Sequence, residues 1–168
     1  MKPLVSIIMG STSDLPVMEK ACKWLDDKEI PFEVNALSAH RTPDAVEAFA
    51  KGAQERGIKV IIAAAGMAAA LPGVIAASTN LPVIGVPIKG MLDGLDAMLS
   101  IIQMPPGIPT ATVGVNAAQN AAILAAQIIG LSDSAVAAKV AAHKAGLGAK
   151  IEKANKDLAE VKYNFKTN

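Results

Sequence analysis

The sequence predicts a three-layer α/β fold: a doubly wound, parallel five-stranded sheet with helices on both faces and a helical extension at the C-terminal end. Three observations predict it. Apolar runs of strand length alternate with segments of helical period as far as Gly130; small polar or glycine-bearing loops follow the apolar runs; and beyond Gly130 the pattern is helical with no strand left to follow.

The first apolar run, Val5 to Met9, is the first strand, and a helix over residues 15–29 carries Val17, Ala21, Trp24, Leu25 and Ile30 on one face. Phe32 to Leu37 is the second strand. Thr42 as N-cap and Pro43 at the first helical position, where a missing N–H costs nothing, open a helix over 43–56 that Gly57 ends as a left-handed cap. Lys59 to Ala65, Val83 to Val86 and Thr110 to Val115 supply three more strands, with helices at 73–79, 94–103 and 118–130. Five strands alternating with helices imply the flavodoxin type of doubly wound sheet. Asp133 to Ala145 and Lys150 to Lys162 then form a helical tail, spanning about 131–168 of a single domain, that must pack on its own sheet or on a neighbouring subunit.

Composition narrows the class. Hydrophobic residues make up 52% and charged residues 18% of the 168, below the roughly 25% charge of ordinary globular proteins. Val60 to Ile88 and Ala97 to Ser132 carry no charge at all. Membrane helices are excluded, because Gly66, Pro72, Gly73, Pro82 and Pro87 interrupt the first stretch and Pro105, Pro106, Gly107 and Pro109 the second. A monomer of this size has too much surface for so much uncharged chain, so a homo-oligomer with Ala-rich helix contacts is expected. A net charge of +1 and 3% aromatics offer neither the electrostatics nor the stacking surface of a nucleic-acid binder. No metal is expected, since His40, His143 and Cys22 show no ligand spacing. The unpartnered Cys22 fits a reducing cytoplasm, and the apolar run after Met1-Lys2-Pro3 is too short for a secretory signal. His143 reads as a solvated or interface residue.

Two loops carry the chemistry. His40 and Arg41 lie between the second strand and the helix that follows, and in an open parallel sheet such loops line the crevice where ligands bind. Imidazole, with an unperturbed pKa of about 6.5, both takes and gives a proton near neutral pH. The second loop, Gly10-Ser11-Thr12-Ser13-Asp14, follows the first strand and gathers hydroxyls and backbone N–H groups at a helix start. It is neither a Walker loop nor a dinucleotide fingerprint nor a nucleophile elbow, because the residues those motifs require are missing. Alone, the loop is plainly read as a capped turn. Paired with Arg41, a permanent bidentate partner for phosphate, it reads as the receptor of a phosphorylated small molecule, with Asp14 suited to a sugar hydroxyl.

Five segments, in this order and spacing, resemble the motifs of N5-carboxyaminoimidazole ribonucleotide mutases, the class I PurE family of purine biosynthesis. They are Gly10 to Asp14, Ser38 to Pro43, Ala65 to Gly73, Pro82 to Pro87 and Gln103 to Pro109. The resemblance implies an isomerase that moves a carboxylate from the exocyclic nitrogen of its substrate to C4 of the imidazole, in a cytoplasmic homo-octamer without metal or organic cofactor. It further implies that Ser11, Asp14 and Arg41 bind substrate, with the serine loop and the arginine at the phosphate and the aspartate at the ribose. His40 is the implied general acid/base, and Gly66, Met67 and Ala68 the wall beside the imidazole. Ser13, Ser38, Ala39 and Leu71 complete the implied substrate contacts. Carbon dioxide is released and recaptured in the family mechanism, and the uncharged loop Ala65 to Leu71 suits a dry pocket for it.

Ala70 stands where the mutase pattern commonly has histidine, and the sister class that carboxylates aminoimidazole ribonucleotide directly tends to have alanine there. Arg41, Leu71-Pro72-Gly73 and Val83-Ile84-Gly85-Val86-Pro87 are of the mutase kind. The alternatives are therefore the direct carboxylase and, third, a non-catalytic phosphoribosyl-binding module.

Overall fold

A computed structural model describes residues 2–168. Its sheet has five parallel strands in the order β2-β1-β3-β4-β5, with β1 at Val5–Met9, β2 at Phe32–Ala36, β3 at Val60–Ala65, β4 at Val83–Pro87 and β5 at Ala111–Thr112. This is the flavodoxin-like arrangement. β1, β3 and β4 are buried along their whole length, which is why they read as near-continuous apolar runs, with Ser6 the polar exception, and not as alternating ones.

Two helical layers cover the sheet. On one face, α1 (Leu15–Asp27) and α6 (Ala118–Gly130) pack through Met18, Ala21, Trp24, Leu25 and the alanines 118, 121, 122, 125 and 126 onto Ile7, Ile62, Ile84 and Val86. On the other, α2 (Pro43–Lys51), α3 (Ala53–Arg56), α4 (Leu71–Ser78) and α5 (Leu95–Ile102) bury Phe49, Ile75 and Ile101 against Ile8, Ile61 and Val83. Alanine along α6 lets that helix approach α1 closely. Gly57 takes φ 102, the left-handed conformation that ends α3.

Local differences from the sequence reading have physical causes. Met18, and not Val17, is fully buried on α1, and Ile30 lies past the helix end. β5 holds two residues, not six, because the chain turns at Gly114–Asn116, where Asn116 has φ 58 and its N–H donates to Pro87 O (2.8 Å). Thr42 occupies the N-cap position of α2, yet its hydroxyl serves the preceding loop and makes no cap bond.

The tail is one helix, α7 (Ser134–Glu160), instead of two. Asp133 caps it by accepting from Ala135 and Val136 N–H (3.0 and 3.1 Å), and Gly146 and Gly148 are carried inside at a cost of about 1 kcal/mol each. Its first turns dock on the parent sheet layer through α6 and α1. His143 belongs to that dock: its Nδ1 accepts from Trp24 Nε1–H at 3.5 Å, the rings edge-to-face at 5.4 Å, while Lys139 Nζ donates to Glu29 O (3.1 Å).

Candidate functional site

The loops at the carboxyl ends of β1, β2, β3 and β4 enclose a cavity of about 570 Å³. It lies across the point where the chain reverses direction in the sheet, between β1 and β3, the expected ligand crevice of such a fold. Every candidate residue lines it. Ser11, Ser13 and Asp14 come from the β1 loop, Ser38, Ala39, His40 and Arg41 from the β2 loop, and Gly66, Met67, Ala68 and Leu71 from the β3 loop.

The β2 loop is shaped by its own hydroxyls. Ser38 N–H donates to Thr42 Oγ1 (3.0 Å) and Thr42 Oγ1–H to Ser38 O (3.1 Å), closing the loop into a turn. Ser38 Oγ accepts from Arg41 N–H and Nε–H (both 3.3 Å), and Arg41 Nη2 donates to Gly10 O (3.3 Å). The guanidinium therefore spans from the β2 loop to the β1 loop. Its Nη1 makes no hydrogen bond among the described residues, which leaves donors to spare for an anion. His40 is exposed on the same turn, and its imidazole makes no hydrogen bond among the described residues.

In the β1 loop, Ser11 Oγ accepts from Ser13 N–H (3.2 Å) and starts a short 3-10 turn, Thr12–Asp14, that runs into α1. Burial raises the pKa of Asp14 above its ordinary value; donation from Ser13 Oγ–H (3.4 Å) and the backbone at Ser11 offset this only in part. A carboxyl with a higher pKa folded than unfolded holds its proton more tightly in the fold, so stability falls as pH rises through the folded pKa. Asp14→Asn is accordingly expected to be more stable than the parent at pH 7. The difference should vanish below the ordinary carboxylate range, and urea titrations at a series of pH values check the sign.

The β3 loop is apolar and bent. Met67 and Ala69 take φ 57 and 41, left-handed values that cost a non-glycine residue of the order of 1 kcal/mol or more, and Ala69 N–H closes the turn on Gly66 O (2.9 Å). Ala70 also lines the cavity, presenting a methyl group at that point.

A fourth wall escaped the sequence reading: Ile88, Lys89 and Gly90, just after β4. Their only signal was position, since loops after central strands of a parallel sheet face the crevice. Among the described residues, no group of histidine, cysteine or acidic side chains is arranged to hold a metal ion. No helix is long and apolar enough to cross a membrane among those residues.

Fold and site together define a flavodoxin-like α/β protein with a crevice at its switch point, lined by serine hydroxyls, an arginine and a histidine. Residues 4–150 match the AIR carboxylase family, and the chain belongs to that family. It is 53% identical to the N5-carboxyaminoimidazole ribonucleotide mutase of Pyrococcus horikoshii, over 95% of this chain and 91% of that one. It is 59% identical to the phosphoribosylaminoimidazole carboxylase of Saccharomyces cerevisiae, over 83% of this chain but 24% of that protein. In structure it is similar to a PurE2 variant of Treponema denticola, with a TM-score of 0.85 and 32% identity over 94% of this chain and 99% of the other.

Proposed function

We propose that the chain is an N5-carboxyaminoimidazole ribonucleotide mutase of purine biosynthesis, converting that nucleotide into its 4-carboxy isomer. The observation that carries this is the convergence of His40 with the Ser11–Asp14 cradle and Arg41 on one cavity. Arg41 and the serines take the phosphate and Asp14 the ribose, leaving the imidazole of the substrate against Gly66, Met67 and Ala68. His40 gives its proton to the exocyclic nitrogen as the N–C bond breaks and carbon dioxide leaves. The apolar β3 loop holds the gas away from water. C4 then attacks carbon dioxide, and the neutral His40 removes the C4 proton, which restores its starting state.

Ser13, Ser38, Ala39 and Leu71 complete the substrate contacts in this reading. The protein works in the cytoplasm as a homo-octamer, without cofactor or metal. Met91, Leu92, Leu95, Leu99 and Ile102, all 46–72% exposed in the single chain, support assembly, as does a tail helix with Leu147, Ile151 and Leu158 uncovered. That tail, part of one domain with the sheet, packs on neighbouring subunits beyond its own dock. The native mass of the assembly tests the subunit count.

Ala70 favours one second reading, direct carboxylation of aminoimidazole ribonucleotide. The experiment that separates the two supplies purified protein with either the carboxylated substrate or aminoimidazole ribonucleotide plus bicarbonate. Rapid isomerisation of the first is expected; turnover of the second alone would reverse the assignment.

A further inference from the structure

Two cationic residues from different loops line the cavity, and the function proposed above uses one of them. Arg41 follows β2 and Lys89 follows β4, two strands with β1 and β3 between them. Three interstrand spacings place those strand exits roughly 14 Å apart. Arg41 narrows the gap by reaching back toward β1, where its Nη2 donates to Gly10 O at 3.3 Å. What remains is a span for a small ligand with an anion at each end. The nucleotides of the proposed reaction have that form, with phosphate on the ribose and carboxylate on or beside the heterocycle.

Lys89 is fixed by its main chain and loosely tethered by its side chain. Its N–H donates to Asn116 Oδ1 (2.9 Å), while Asn116 N–H donates to Pro87 O (2.8 Å), so one asparagine ties the exits of β4 and β5 together. Asn116 does this from the left-handed region, φ 58, which asparagine tolerates better than most residues. The ammonium lies 3.0 Å from Asp93 Oδ1, with the two side chains 59% and 86% exposed. A pair so open to solvent is weak and yields to a better-placed anion. Among the described residues Asp14 is the one carboxylate lining the cavity, and it belongs to the β1 loop, not to the β4 end.

We infer that Lys89 is a further substrate-contacting residue: its ammonium binds the carboxylate of the nucleotide at the β4 end of the cavity and sets the preference for carboxylated over uncarboxylated nucleotide. The inference rests on the proposed function. The exocyclic nitrogen is borne by C5, the ring neighbour of C4, so one ammonium serves the carboxylate before and after its transfer. Substrate and product gain alike, and binding of that kind lowers KM without raising kcat.

The test is calorimetric titration of the intact assembly with the 4-carboxy nucleotide and with aminoimidazole ribonucleotide, which share the phosphate and differ in the carboxylate. Lys89→Gln is expected to weaken the carboxylated ligand about tenfold and the uncarboxylated one less than about twofold, with Lys89→Arg restoring most of the loss and Arg41→Gln weakening both ligands. In turnover, Lys89→Gln should raise KM by a similar factor with kcat retained. Equal weakening of both ligands by Lys89→Gln, or of neither, overturns the inference while leaving the mutase assignment intact. Parent protein that binds neither nucleotide overturns both.

Discussion

Replacing His40 by asparagine is expected to lower kcat by about 10³-fold or more while leaving nucleotide affinity within about threefold of the parent. Asparagine is a polar side chain of similar reach but has no group that takes or gives a proton near neutral pH. General acid–base assistance contributes roughly 10²–10⁴ to a proton transfer, and the proposed reaction asks His40 for two. The fold should be indifferent to the change. The turn that bears His40 is held by Ser38 and Thr42, and the imidazole is exposed. Stopped assays at saturating substrate, paired with a calorimetric titration of the same variant, separate chemistry from binding. Undiminished isomerisation would remove His40 from the mechanism and return the site to the status of a phosphoribosyl receptor.

The central architecture was legible because β1, β3 and β4 are covered on both faces, and such strands are apolar almost throughout; the buried Ser6 of β1 is tolerated because its hydroxyl donates to Glu33 Oε1 (2.9 Å). β5 was over-read for a related reason. Thr110, Thr112, Val113 and Val115 are good strand residues, but ladder pairing to β4 is limited to Ile84↔Ala111 and Gly85↔Thr112 before the turn at Asn116. The tail divided in the sequence reading because Gly146 and Gly148 resemble a stop, whereas a well-capped helix tolerates them. His143 could not be paired with Trp24 from sequence, since 119 positions separate them.

The candidate site divides in the same way. The loops after β1, β2 and β3 contain residue types that announce chemistry: clustered hydroxyls, an imidazole beside a guanidinium, a glycine in an uncharged bend. Ile88-Lys89-Gly90 contains none, and a lone lysine after a strand is ordinary. Only the strand order, which sets β4 beside β3, brings it to the cavity. Composition likewise hinted at burial beyond the single chain, and α5 leaves Leu95 and Leu99 exposed in that chain.

The largest stability effect is expected at Gly85, in the middle of β4. A Cβ added there would lie 2.3 Å from Ile101 Cγ2 and 3.5 Å from Pro72 Cβ, and Ile101 is completely buried. The offending methyl sits on the β-carbon of Ile101, too near the α5 backbone to swing away, so either α5 or β4 must move. Overpacking of this kind costs about 2–3 kcal/mol, which lowers the melting temperature of a chain of this length by roughly 5–10 °C. The physical cause is checked by a double-mutant cycle. Ile101→Leu removes the Cγ2 branch at similar volume and alone should cost less than about 1.5 kcal/mol. Combined with Gly85→Ala it should recover at least about 1 kcal/mol of the loss, a coupling expected only of side chains in direct contact. Strict additivity would mean that the penalty arises from the β4 backbone and not from the contact with α5. Because β4 leads directly to Lys89 and its tie to Asn116, the same displacement should weaken the carboxylated nucleotide in Gly85→Ala, and the Ile101→Leu partner should restore its binding together with the stability.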